Sequence, residues 1–333
     1  MQEQAPQALP PVASLLLTRR LPCAVLLLVM LSTAIWMPVL LQNMPSFVIV
    51  LATLIGLSLH VLTPALVAII TLGGGITFAT HVVVLTAIGA SVLSGFNLLP
   101  GLVTLTVYGL LPLLAAASLL RQQGLQHSAR YLAAGLGLIV LVGLIAGALI
   151  QDIGLREFVS QLMSPMFTYA QKQVPPSEVE ALQMLGQAQQ MMISMLPGLV
   201  ALSMWFAWWG DIVLARHFAS RYGFYRGDAS SPLDLSFGKP AAYLFLVLLL
   251  LANLATGDLQ YVGINAAIMV GGLMAAQGIA VGHSWLKAKG MMLSISMMYL
   301  MLFIWSFMIV PFVIVGLMDI WFDYRRKMPA AGG

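Results

Sequence analysis

The chain is patterned in blocks: long apolar runs alternate with short polar stretches carrying Gly, Pro, Gln and Arg. The runs lie at about 21–41, 46–72, 76–94, 98–120, 131–150, 191–218, 241–254, 261–281 and 291–322. A bilayer core about 30 Å thick is crossed by about 20 apolar helical residues, so each block reads as a helix that spans or enters a membrane. A transmembrane barrel needs segments of about ten residues with alternating polarity, and runs such as 241–252 do not alternate. Pro64 is expected to interrupt the second run, and Gly73, Gly74 and Gly75 form a turn before the third. The expected fold is therefore an all-α polytopic transmembrane helical bundle of roughly eight to ten spans.

The block from about 151 to 190 breaks the pattern. Leu155, Phe158, Val159, Leu162 and Met163 recur at helical spacing, which predicts a short amphipathic helix lying on a membrane surface. Pro175 and Pro176 end it, and Ser177 with Glu180 has the spacing of a capping box for the next helix. Three regions follow: a tail at 1–20, one transmembrane domain at 21–323 that includes this insert, and a C-terminal tail at 324–333. The first run is long and lacks an Ala-x-Ala exit, so it is expected to be a retained span and not a cleaved signal.

Composition sharpens this picture. Hydrophobic residues make up 60% of the 333, charged residues 8%, and mean hydropathy is +0.96, whereas a soluble domain has about a quarter charged residues. Basic loops are retained in the cytoplasm. Placing Arg19 and Arg20 inside, and returning the chain near Pro311, puts 13 of the 15 Lys and Arg residues on that side. Arg156 and Lys172 fall outside, in the insert that also holds Asp152, Glu157, Glu178 and Glu180. The net charge of +4 then expresses membrane sidedness and gives no reason to expect nucleic acid as a partner. Both termini are expected in the cytoplasm.

Candidate chemistry is sparse. His60, His81, Asn265, Gln277 and His283 are the candidates for a polar path through the bilayer, where polar side chains mark function. Asn265 and His283 share a helical face five turns apart. No acid sits in mid-span: Asp211 and Asp319 lie near helix ends. Gly271, Ala275, Gly278 and Gly282 form a stripe of small residues, and Gly143 and Gly147 repeat the spacing, which suits close helix packing. Trp285, Lys287, Lys289, Arg325 and Arg326 are expected as interfacial anchors reaching the lipid. Cys23 is the single cysteine, so neither a disulfide nor a thiolate metal cluster is expected. The 21 methionines read as gap-filling side chains. No metal or other cofactor is expected.

Three stretches carry a family likeness. NLLPGLVTLTVYGLLPLLAAASLLR, QGIAVGHSWLKAKG and GLMDIWFDYRRK together resemble the YybS-like family of bacterial membrane proteins of unknown function. That resemblance implies a bacterial cytoplasmic membrane location. The family is in turn similar to the S components of energy-coupling-factor transporters, although the first span lacks their Ala-x-x-x-Ala docking motif. This likeness implies a small-molecule ligand and transporter subunits as partners besides the lipid bilayer. Two functions stay open on the residues: a small-molecule-binding, transport-associated component, or an assembly scaffold that organises membrane partners. An intramembrane enzyme is not expected, because no nucleophile with an orienting base is visible.

Overall fold

The computed structural model describes residue 14 and residues 17–175, 177–227 and 230–328. Most of the 1–20 tail, the end of the 324–333 tail and Pro176 lie outside the described residues. Within them the fold is helical, with no strand. The helices are α1 Arg20–Leu40, α2 Ser46–Val61, α3 Thr63–Leu93, α4 Leu98–Leu120, α5 Gly124–Gln151, α6 Leu155–Gln173, α7 Val179–Arg221, α8 Lys239–Leu254, α9 Gly257–Ala288, α10 Met292–Ile304 and α11 Ile309–Phe322.

Among the described residues six helical stretches are long and apolar enough to cross a membrane, or seven if α10 and α11 form one span. This is fewer than the eight to ten expected. Ser46–Leu93 counts once as a stretch of 48 residues, although at 1.5 Å per residue it is about 72 Å long, over twice a bilayer core. It is interrupted at Leu62, with Pro64 in the first turn that follows, and again at Gly75, where φ is +79°. Only glycine adopts that conformation without a steric cost. Lys239–Leu254, at 16 residues, falls short of a full crossing.

The chain divides into two compact units, Met1–Leu136 with Trp205–Pro232, and Gly137–Met204 with Leu233–Gly333. In the first, α1 packs on α2 and α3, and α3 packs on α4. Cys23, Ala24, Leu27, Val67, Ile70, Val82, Val83 and Leu113 form its apolar core. A β-carbon on Gly56 would lie 2.9 Å from the Thr33 carbonyl oxygen, so glycine lets α2 approach the α1 backbone. The later segment of this unit is tied in by polar contacts. Trp205 Nε1 donates to the Ala129 carbonyl at 2.9 Å, and the Tyr225 hydroxyl to that of Leu119 at 3.3 Å.

In the second unit α9 is the centre, packed on α8, α10 and α11 and touched by α6. Its apolar window is 78% buried, as expected of a helix with small and apolar residues all round. The insert is helical as its periodicity predicts. Leu155, Val159 and Phe167 are buried, and Phe158 and Met163 join the cluster around Ala148, Ile193 and Tyr261. Leu162 is exposed instead. After α9 the chain bends by 120° between α10 and α11. The break falls at Trp305–Met308, just before Pro311, which occupies the first turn of α11 where its missing N–H costs nothing.

Candidate functional site

Three polar assemblies emerge, and the first two begin with a backbone that needs a partner. The first is at Pro197 in α7. Proline has no N–H, so the Ile193 carbonyl loses its helical donor; the Tyr261 hydroxyl supplies one at 2.7 Å. One turn along α9, the Asn265 amide reaches the same place. Its Oδ1 accepts from the Gly198 N–H at 2.9 Å while Nδ2 donates to the Ser194 carbonyl at 3.0 Å. Those are the two groups that one regular helical bond would join. A β-carbon on Gly198 would lie 2.4 Å from the Asn265 carbonyl oxygen, so this glycine lets the backbones meet.

The second assembly closes the other end of α9. Gln277 is fully buried; its Oε1 accepts from the Phe237 N–H at 3.0 Å and its Nε2 donates to Asp319 Oδ2 at 2.9 Å. The same carboxylate oxygen accepts from Arg325 Nη2 at 2.8 Å, and Oδ1 accepts from the Tyr324 N–H at 3.0 Å. Arg325 also donates to the Leu233 carbonyl at 2.7 Å. A buried carboxylate needs a cation and satisfied lone pairs to be tolerated, and Asp319 has both. Arg325, expected as an outward anchor, therefore turns inward, with its side chain 18% exposed. Arg326 does face outward, paired with Asp323 at 3.3 Å.

The third assembly lies in the first unit. His60 Nε2 and the Tyr108 hydroxyl share a hydrogen bond of 2.6 Å, and the Tyr108 ring lies 5.5 Å from that of Trp208. One helical turn beyond Trp208 is Asp211, 4% exposed, whose Oδ2 has no hydrogen-bond partner among the described residues. Trp205, Trp208, Ile212 and Ala215 are buried near it on α7. Trp209 Nε1 is likewise unpartnered, but two residues on a helix are about 200° apart, so the two atoms face different sides. Tyr108 belongs to a π-helical turn, Thr104–Leu110, a rare geometry frequent at functional sites. Beside it lies a cavity of about 10 Å³, room for one water at most, with Thr63, Thr86 and Thr104 on its walls.

Each of the five candidate path residues makes its hydrogen bonds within its own unit. Asn265 and Gln277 each close a backbone gap, His283 Nδ1 meets the Tyr299 hydroxyl at 3.0 Å, and His60 joins Tyr108. His81 bonds the Thr77 carbonyl of its own helix at 2.7 Å and is far from buried. In a membrane every backbone polar group needs an internal partner, and side chains that answer that need are not free to line a path.

The small-residue stripe is placed against neighbours of the same unit. Gly271 meets Phe245, Gly278 meets the backbone of Phe312 and Gly316, Gly282 meets Phe312 and Met298, and Ala275 is fully buried. Gly147 meets the ring of Phe158, whereas among the described residues nothing lies within 4 Å of a β-carbon on Gly143. Trp285, Lys287 and Lys289 are exposed, with Lys289 Nζ 4.7 Å over the Trp285 ring. Asp211 and Tyr108 are what the sequence did not single out. The signal for Asp211 was present: an acid in an apolar helix, three residues after Trp208.

The family profile described as predicted membrane protein (DUF2232) matches residues 45–320, well over half of the chain. The chain belongs to this family of membrane proteins. No curated protein and no solved structure matches it.

Proposed function

We propose that this chain is a non-enzymatic, solute-binding component of a bacterial membrane transport system, and that Asp211 is the group its solute meets. The observation that carries the reading is the buried Asp211 Oδ2, which has no hydrogen-bond partner among the described residues. Burying an unpaired ionisable group in an apolar helix costs several kcal/mol, and such groups in membrane helices mark ion and substrate sites. A carboxylate selects a cation or a solute rich in hydrogen-bond donors. The π-helical turn that presents Tyr108 to His60 adds a second polar element to the same unit.

The likeness to transporter S components fits this reading, with a partner membrane subunit coupling the bound solute to energy. The distribution of basic residues supports an arrangement with both termini in the cytoplasm and the 151–190 insert outside. The scaffold reading loses its main support, because Gly271, Gly278 and Gly282 meet side chains and backbone of their own chain.

Native mass spectrometry of the protein extracted in mild detergent tests the proposal. A bound small molecule beyond detergent and lipid is the expected result. A protein that arrives free of any such mass, from cells in which it is expressed at native level, overturns it.

A further inference from the structure

The end of α9 and the chain following α11 enclose an open groove of about 510 Å³. Val281, Gly282, Val315 and Met328 give it an apolar wall, and Trp285, Tyr324 and Lys327 complete its lining. Lys289, 4.7 Å over the Trp285 ring, adds a second cation beside that ring.

The local charge balance leaves these two lysines uncompensated. Asp319 is held by Arg325 at 2.8 Å and Asp323 by Arg326 at 3.3 Å. Neither Lys289 nor Lys327 has a carboxylate partner among the described residues. The cation–π contact orders Lys289 without neutralising it.

We propose that this groove binds one anionic phospholipid, its phosphate between Lys289 and Lys327 and an acyl chain along the wall of Val281, Val315 and Met328. Both parts of the site are needed to name the ligand. Two free cations favour an anion over a zwitterionic lipid, and the apolar wall gives no hold to a water-soluble anion. The volume lies within the range of sites that hold a small ligand.

The full-length protein, reconstituted into nanodiscs of three parts phosphatidylcholine to one part phosphatidylglycerol, is released in a native mass spectrometer and the retained lipid is weighed. Phosphatidylglycerol is expected to be enriched over its share of the bilayer. Lys289→Gln and Lys327→Gln should each lower that enrichment about fivefold, Lys327→Arg should preserve it, and Met328→Asp should abolish it. Lys287→Gln removes the same charge from the same helix end, but about 200° round from Trp285, and should lower the enrichment clearly less than Lys327→Gln. Retention in the bulk ratio, or an equal loss in the Lys287 and Lys327 variants, would overturn the proposal.

Discussion

Gly278 and Gly316 face each other across α9 and α11 so closely that neither can carry a side chain. A β-carbon on Gly278 would lie 1.9 Å from the Phe312 carbonyl oxygen, and one on Gly316 would lie 1.9 Å from that of Met274. Each of those carbonyls is one helical turn before the opposing glycine, so the contact is reciprocal. The obstacle is backbone, which cannot swing aside as a side-chain tip can. Such contact at small residues is what drives helix association in lipid.

Gly278→Ala and Gly316→Ala should therefore each destabilise the protein, by about 1–3 kcal/mol or more for a clash of this kind. Gly143→Ala is the contrast. Among the described residues nothing lies within 4 Å of a β-carbon there, so alanine should raise stability by about 0.5–1 kcal/mol through its better helix propensity. Thermal unfolding in detergent reads all three, and equal effects at 143 and 278 would remove the close contact from the account.

The Pro197 turn gives a second expectation. Asn265→Leu takes the partner from the Gly198 N–H and the Ser194 carbonyl, and Tyr261→Phe takes it from the Ile193 carbonyl. Each should cost about 1–3 kcal/mol, and the double variant should cost less than the sum because both act on one turn. Amide hydrogen exchange over 193–198 should accelerate in either variant. Unchanged exchange would show that the turn holds without them.

The lock around Asp319 is graded. Arg325→Leu leaves a buried carboxylate without its cation and should cost about 3–5 kcal/mol. Asp319→Asn keeps an acceptor for the Tyr324 N–H and should cost less. Gln277→Glu sets a second negative charge against Asp319, in place of the 2.9 Å hydrogen bond, and should impair accumulation in the membrane. Denaturation in detergent orders the first two; an inverted order would contradict the ion pair.

What the sequence revealed depended on how local its cause was. The apolar runs, the break at Pro64, the turn at Gly75 and the periodicity of Leu155, Phe158 and Val159 arise from neighbouring residues, and all could be read along the chain. Asn265 could be seen as polar in an apolar helix, but its task is set by Pro197, 68 residues away. Pro197 was itself a signal, since a proline inside a helix calls for a substitute donor. Arg325 looked like an anchor because it sits among basic residues at a helix end. Only the tertiary position of Asp319, six residues earlier on the same turn of chain, draws it inward. Asp211 showed only as an acid in an apolar run, its burial being set by packing between distant segments, and the π-helical turn at Tyr108 left no local pattern.

Sidedness is tested by reporters. Fusions after Leu125, Gly227 and Lys289 should all report cytoplasm, and one after Gln173 should report the outside. A cytoplasmic signal at Gln173 would overturn this arrangement. A C-terminal fusion is expected to report cytoplasm, with α10 and α11, about 20 Å each, entering and leaving the same face.

The proposal that Asp211 meets a solute is tested most directly by comparing the wild type with Asp211→Asn, both purified in the same mild detergent and weighed intact. Asparagine keeps the shape and removes the unpaired charge, so the variant should be at least as stable as the wild type. It should also have lost a bound small molecule that the wild type carries. A variant that unfolds several degrees lower while retaining the same bound mass would contradict the account and make Asp211 a structural residue.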